Sequence, residues 1–226
     1  MTKYIQSLLF AAFIMLMPLC ACAQDFGLDF NLGLKKKIIK GLSIAVGFEL
    51  RTQDMTREME QIDASFEISY KPIDYFKFGA GYDFIDKYYP NITTWSPRHR
   101  ANVFVTGILP IEDFELSLRE RYQYTYRSMS GKIASKHEHI LRSRLQAEYH
   151  IKAVHLTPYL NFEMYNDLAS SFAIDKLKLN VGLTYTLKKK KSKFAHDFDF
   201  FYRYTAPIAS DDEDFHMIAV GYLFKF

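Results

Sequence analysis

The chain of 226 residues carries 29 Lys and Arg against 26 Asp and Glu, a formal net charge of +3 at pH 7. That balance is too near neutral for the basic field a nucleic-acid partner requires. Phe and Tyr number 20 and 16, about twice the share of an ordinary soluble protein, yet 24% of residues are charged and mean hydropathy is only −0.15, so the two populations must be segregated in space.

The chain opens with the pattern of a secretory signal peptide. Lys3 supplies a positive start, Ile5 to Leu19 are apolar apart from Gln6 and Ser7, and Ala21-Cys22-Ala23 offers a small-x-small cleavage site before Gln24. The apolar stretch is short for a transmembrane anchor. A lipoprotein-type signal, with Cys22 lipidated, is the alternative. Cleavage after Ala23 leaves 226 less 23, or 203, residues as one domain (24–226), removes Cys20 and Cys22, the only cysteines, and lowers the charge to +2 because Lys3 is the only charge lost. A mature chain without thiols has no disulfide, cysteine nucleophile or thiolate metal site.

From Asp25 onward the pattern is alternation. Phe26, Leu28, Phe30, Leu32 and Leu34 share one parity; Leu42, Ile44, Val46, Phe48 and Leu50 repeat it, as do Ile62, Ala64, Phe66, Ile68 and Tyr70. Successive strand side chains point to opposite faces, so each run predicts a two-faced strand. Further runs cover Phe76 to Phe84, Ala101 to Leu109, Phe114 to Tyr126, Leu141 to Tyr149, Leu156 to Met164, Leu177 to Leu187, Phe194 to Tyr204 and His216 to Phe226. That makes about eleven strands, with no competing helix.

Alternation also suits a soluble lipocalin-like barrel with an apolar cavity. A membrane barrel is favoured because the runs are about ten residues, the length of a tilted strand crossing hydrocarbon, and because the apolar parity is too bulky to fit inside a small barrel. Tyr122, Tyr124 and Tyr126 near a strand end suit a headgroup-level girdle. The expected fold is an all-β, transmembrane, antiparallel up-and-down barrel of about 10–12 strands. Short periplasmic turns are expected at Lys71 to Asp74, Pro110 to Asp113, Ile151 to Ala153 and Lys188 to Lys193. Longer extracellular loops are expected at Asp86 to Pro97, Arg127 to Glu138, Asn166 to Lys176 and Ala206 to Asp214. Because single-chain bacterial barrels have even strand numbers, the chain should form either ten strands from Leu42, with residues 25–34 attached as an extra, or twelve.

The segments YKPIDYFKFGAGYDFI at 70–85, RHR at 98–100, RERYQY at 119–124, LRSRLQAEY at 141–149, LTPY at 156–159 and the terminal GYLFKF resemble an uncharacterised family of outer-membrane barrels, domain of unknown function 2490. The resemblance covers essentially the whole mature chain. It implies this fold and a Gram-negative outer-membrane location, and brings no agreed activity or catalytic residue.

Outer-membrane barrels commonly end on a phenylalanine that assembly machinery reads. Phe226, with Phe224 and Tyr222 on the same parity, is the expected assembly signal. The polar parity holds the candidate site. Arg51, Arg100, Arg119, Arg121, Arg142, Arg144, Lys178 and Arg203 should point inward with Glu49, Asp63, Glu67, Asp83, Glu148, Glu163, Asp197 and Asp199. Such a lining is either a neutralised ion-pair network filling a narrow lumen or a path for small anionic solutes. Arg119 and Arg121 precede, and Arg142 and Arg144 follow, one loop, so all four should share one side. Glu148 and Glu163 should lie away from Arg121.

Other constellations are thin. His137-Glu138-His139 reads as a solvated loop rather than a metal site, as does the acidic run Asp211 to Asp214. Lys35 to Lys37 and Lys188 to Lys191 should touch anionic headgroups or keep turns in water. Glu120 falls unexpectedly on the lipid parity. A rim enzyme would draw on His99, Ser96 and Asp86, although His99 between Arg98 and Arg100 reads as polar lining. No metal, cofactor or catalytic set is expected; membrane lipids, assembly machinery and small solutes are the expected partners.

Overall fold

The computed structural model describes residues 25–131, 133–188, 192–209 and 213–226; the signal-peptide segment 1–23 lies outside the described residues. Eleven strands follow in chain order: β1 (Asp25–Lys37), β2 (Leu42–Gln53), β3 (Glu58–Ile73), β4 (Phe76–Tyr89), β5 (Thr94–Ile111), β6 (Phe114–Arg127), β7 (Lys136–Tyr149), β8 (Leu156–Asp167), β9 (Ala173–Lys188), β10 (Ala195–Pro207) and β11 (Phe215–Lys225). Each pairs antiparallel with its sequence neighbour, and the sheet closes into a barrel where β1 meets β11.

That closure corrects the expected even count. In an up-and-down chain an odd number of strands leaves the first and last running the same way, so they can pair only in parallel. They do so from Asp25 opposite Phe215 to Lys35 opposite Lys225. β1 is therefore a full wall strand, hydrogen-bonded to β2 on its other edge from Asp29–Arg51 to Lys37–Ser43. Alternation reports faces and cannot report which edge closes the sheet, which is why the sequence leaves this open.

The barrel is apolar outside and polar inside. Phe30, Leu32, Val46, Phe66, Val103, Leu118, Leu160 and Val220 are all exposed on the outer wall, while Asp29, Asn102, Gln123, Glu163, Asn180 and Asp197 are buried within. An apolar surface of this extent is untenable in water and is the surface of a barrel whose solvent is lipid. No described helix is long and apolar enough to cross a membrane.

At one end, hereafter the turn end, two connections are tight: Asp74–Tyr75 joins β3 to β4, and Glu112–Asp113 joins β5 to β6, whereas the β7–β8 turn expected at Ile151 to Ala153 runs over 150–155. The β1–β2 turn needs Gly41, whose φ is +83° and where a Cβ would sit 2.5 Å from the Lys71 carbonyl oxygen. At the other, loop end, the four loops expected to be long are shorter, because strand pairing continues past the apolar stretches. Lys87 still faces Ser96 and Tyr89 faces Thr94, so the β4–β5 loop contracts to Pro90–Thr93. Likewise β7 begins at Lys136, opposite Arg127.

The charged lumen as candidate functional site

Hairpin register brings the arginines together. Arg119 lies directly opposite Arg144, and Arg121 opposite Arg142, on the inner faces of β6 and β7. Like charges on adjacent strands repel, so the fold must answer them. Glu163 on β8 does so for one pair: its Oε1 accepts from Arg142 Nη2 at 2.5 Å and lies 3.9 Å from Arg144. Arg121 is answered from across the lumen by Glu67 on β3 at 3.4 Å, a carboxylate 54 residues away in sequence. Glu148 and Glu163 do lie away from Arg121, and the acid that answers it comes from three strands away, where barrel curvature brings β3 within reach of β6.

Two further groups complete the lining. Arg100 lies 4.0 Å from Asp83. Arg51 pairs with Glu49 on its own strand and lies 4.0 Å from Asp29 and 3.8 Å from Glu60, and Arg203 reaches Asp29 at 3.3 Å across the parallel seam. Asp29, Glu60 and Lys87, which bonds Glu60 at 3.1 Å, are lining residues missed in the sequence. Glu148 accepts from Gln146 and, among the described residues, joins no ion pair with the arginines. Asp199 accepts from Tyr159 and Thr184, each at 2.9 Å.

Arg119 differs from its neighbours. Its Nε donates to Thr106 Oγ1 at 3.1 Å and its guanidinium lies 4.6 Å from the centre of the Phe104 ring, and among the described residues no carboxylate reaches it. Phe104 is an aromatic on the polar parity, buried in the lumen, with Arg121 and Lys77 also over its ring at 5.3 and 5.4 Å. It lies flat because its cross-strand partner is Gly79, where a Cβ would meet the ring at 2.6 Å. Tyr159 lies against Gly182 in the same way. An aromatic on the polar parity directly across from glycine is the signal that would have found both. Tyr165, also buried, is surrounded by Arg142, Lys176 and Lys178 at 5.1 to 5.4 Å and donates to Glu163 at 2.9 Å.

Two cavities open in the lumen. The cavity toward the loop end, about 560 Å³, is lined by nine basic and seven acidic side chains. The cavity at the turn end, about 1040 Å³, is lined by eight lysines and one acidic side chain, Asp74. Phe104, Arg119, Glu67 and Tyr159 line neither cavity; the Phe104 ring lies between Arg121 of the loop-end cavity and Lys77 of the turn-end cavity, and this level is the waist.

Several histidines are placed where the sequence did not lead. His99 is on the outer wall, 2.6 Å from Tyr82 Oη and packed on Phe84, which corrects its expected place in the lining. One residue from Arg98 and Arg100, it must point the other way. His137 and His139 lie in β7 rather than a loop, paired outside with Tyr124 and Tyr122 at 2.7 Å. Ser96 is fully buried on the parity opposite to His99, so these two do not form a pair at the rim. Of the acidic run, 211 and 212 lie outside the described residues; Asp214 accepts from Tyr204 at 2.6 Å. Among the described residues no group of three or more His, Cys, Asp or Glu is arranged to hold a metal ion. Glu120 is on the outer wall as expected, and there accepts from Ser143 across the strand pair at 2.7 Å.

A closed barrel with an apolar exterior and a lumen of paired charges defines a transmembrane β-barrel protein. Residues 26–213 match the family model described as protein of unknown function (DUF2490), and the chain belongs to that family. Two solved porins are similar in fold. The NanC porin is 14% identical over 80% of this chain and 86% of its own, with a TM-score of 0.47. The anion-selective porin from Comamonas acidovorans is 11% identical over 83% of this chain and 52% of its own, with a TM-score of 0.39. No curated protein matches the chain.

Proposed function

We propose that this protein is exported by the signal peptide at residues 1–23, assembles in an outer membrane with its turn end toward the periplasm, and forms a narrow polar passage that prefers small anions. The observation that carries the anion preference is the surplus of positive charge along the lumen. Seventeen basic side chains line the two cavities, nine and eight, against eight acidic ones, seven and one. A water-filled path with such walls concentrates anions and repels cations. At the waist Arg119, with no carboxylate partner among the described residues, leaves a positive group beside the Phe104 ring. The competing reading, a sealed structural barrel, draws on the Glu67–Arg121 bridge and the Phe104 ring at that same waist.

Planar-bilayer recording across a KCl gradient separates the two. The wild type should give a reversal potential of anion selectivity, and Arg119→Gln should reduce it without stranding a buried carboxylate. Cation selectivity would overturn the anion preference, and absence of conductance would establish the sealed barrel. For location, the mature chain should fractionate with the outer membrane and migrate faster on gels unheated than boiled; recovery in the soluble periplasmic fraction refutes it. Phe226 is proposed as the signal read by assembly machinery. Its ring stacks on Phe224 and its amide donates to Lys35. Phe226→Ala retains that backbone bond, so it should lower the assembled amount only if the ring itself is read.

A further inference from the structure

The lysines of the turn end are more than turn solubilisers. Of the eight around the 1040 Å³ cavity, three are answered: Lys71 lies 3.9 Å from Asp74, Lys77 lies 3.5 Å from Glu67, and Lys225 pairs with Asp197. The other five, Lys35, Lys37, Lys40, Lys188 and Lys193, have no carboxylate partner among the described residues.

Their placement follows from register. Lys35 stands directly opposite Lys225 on the parallel seam, Lys225 opposite Ala195, and Ala195 opposite Lys188. Three lysines therefore occupy one row across four strands, with a small buried alanine where a fourth long side chain would close the gap. Like charges opposite one another destabilise a sheet, so this row has a cost that solubility does not require. Headgroup contact does not explain it either. Lys36, on the other parity, points outward over the Phe226 ring at 5.3 Å and is the residue placed for a lipid phosphate, whereas Lys35 and Lys37 face the cavity. A concave wall of one sign focuses the field on its centre.

We infer that the turn-end cavity is a binding site for small soluble anions carrying several phosphate groups. Lysine ammoniums are point charges without the planar geometry by which arginine selects carboxylates, and here every basic side chain of the lining is a lysine, in contrast to Arg119 at the waist. The site deepens the anion-passage reading, since it would load the passage from the turn end.

The test uses the purified mature barrel in neutral detergent, titrated with inorganic tripolyphosphate by calorimetry, beside bilayer recordings with the same probe on either side. Wild type should bind, more weakly as salt rises. Lys35→Gln with Lys188→Gln should weaken binding about tenfold or more while retaining heat-modifiable gel migration. Lys36→Gln should bind as wild type does. No binding by wild type overturns the site, as does loss of binding in Lys36→Gln with none in the double variant, the result expected of an outer lipid-phosphate contact. Block of current from the turn end alone supports the site. Binding without any conductance refutes only the passage, and conductance without binding refutes only this site.

Discussion

Glu163 gathers three partners from the lumen wall. It is 3% exposed, accepts from Arg142 and Tyr165, and lies within 4 Å of Arg144. Removing one partner of a buried ion pair leaves the other charge uncompensated, so Glu163→Ala should destabilise the barrel by about 3–5 kcal/mol, with Glu163→Gln milder. Unfolding in lipid vesicles followed by tryptophan or gel mobility measures it, and a change below about 1 kcal/mol would mean that water, rather than this carboxylate, neutralises Arg142. Phe104 makes the complementary case. Its ring narrows the waist under Arg119, so Phe104→Ala should raise single-channel conductance, and an unchanged value would put the constriction elsewhere. What was legible at this scale follows from locality. The facing of Arg119 and Arg121 by Arg144 and Arg142 was readable because one hairpin makes it. The reach of Glu67 to Arg121 was not, because it crosses the lumen between β3 and β6. Phe104 was hidden as well, since an aromatic on the polar parity breaks the only rule in use.

At the level of the strand, parity decides the fate of a charge. Val46 and Val103 are 46% and 55% exposed on the outer wall. Arginine at either should cost about 2–4 kcal/mol near the bilayer midplane. One residue along, Gly47 borders the loop-end cavity, and a Cβ there would meet only the Ser65 hydroxyl at 2.6 Å, the end of a small side chain able to rotate away. Gly47→Arg should therefore be milder, and equal losses for Val46→Arg and Gly47→Arg in vesicle unfolding would reverse the assignment of faces. The strand core was legible because hydrophobic alternation marks it. Strand ends were not, because Lys87 and Ser96, or Arg127 and Lys136, pair through backbone groups whatever their side chains. The outer-wall Glu120 belongs here too. Its carboxylate shares a hydrogen bond with Ser143, and that cross-strand partner is invisible until register is known.

For the whole molecule the decisive feature is the seam. Eleven strands in up-and-down order admit closure only through a parallel pair, and β1 and β11 supply it over eleven residue pairs. The seam also has side-chain chemistry of its own, because Arg203 on β10 reaches past β11 to Asp29 on β1 at 3.3 Å. If β1 were an appendage to a ten-stranded barrel, β2 would have to meet β11 directly, and Asp29, buried to 1% exposure, would lie outside the wall. An engineered disulfide tells the two apart. Asn31 faces Gly221 in the parallel register, and a Cβ at Gly221 would stand 3.6 Å from that of Asn31, within the range of about 3.5–4.5 Å that disulfides occupy. Cys20 and Cys22 are the chain's only native thiols and lie before the proposed cleavage site, so Asn31→Cys with Gly221→Cys introduces the sole pair into the mature protein. Oxidation should link the two without reagent spacers, shift the mobility of the boiled chain on non-reducing gels, and leave the folded form unchanged. As a register control, Gly33→Cys with Gly221→Cys, offset by two residues along the same face, should link poorly. Efficient linking in the offset pair, or none in the matched pair in a correctly assembled barrel, would refute the parallel seam and the odd strand number together.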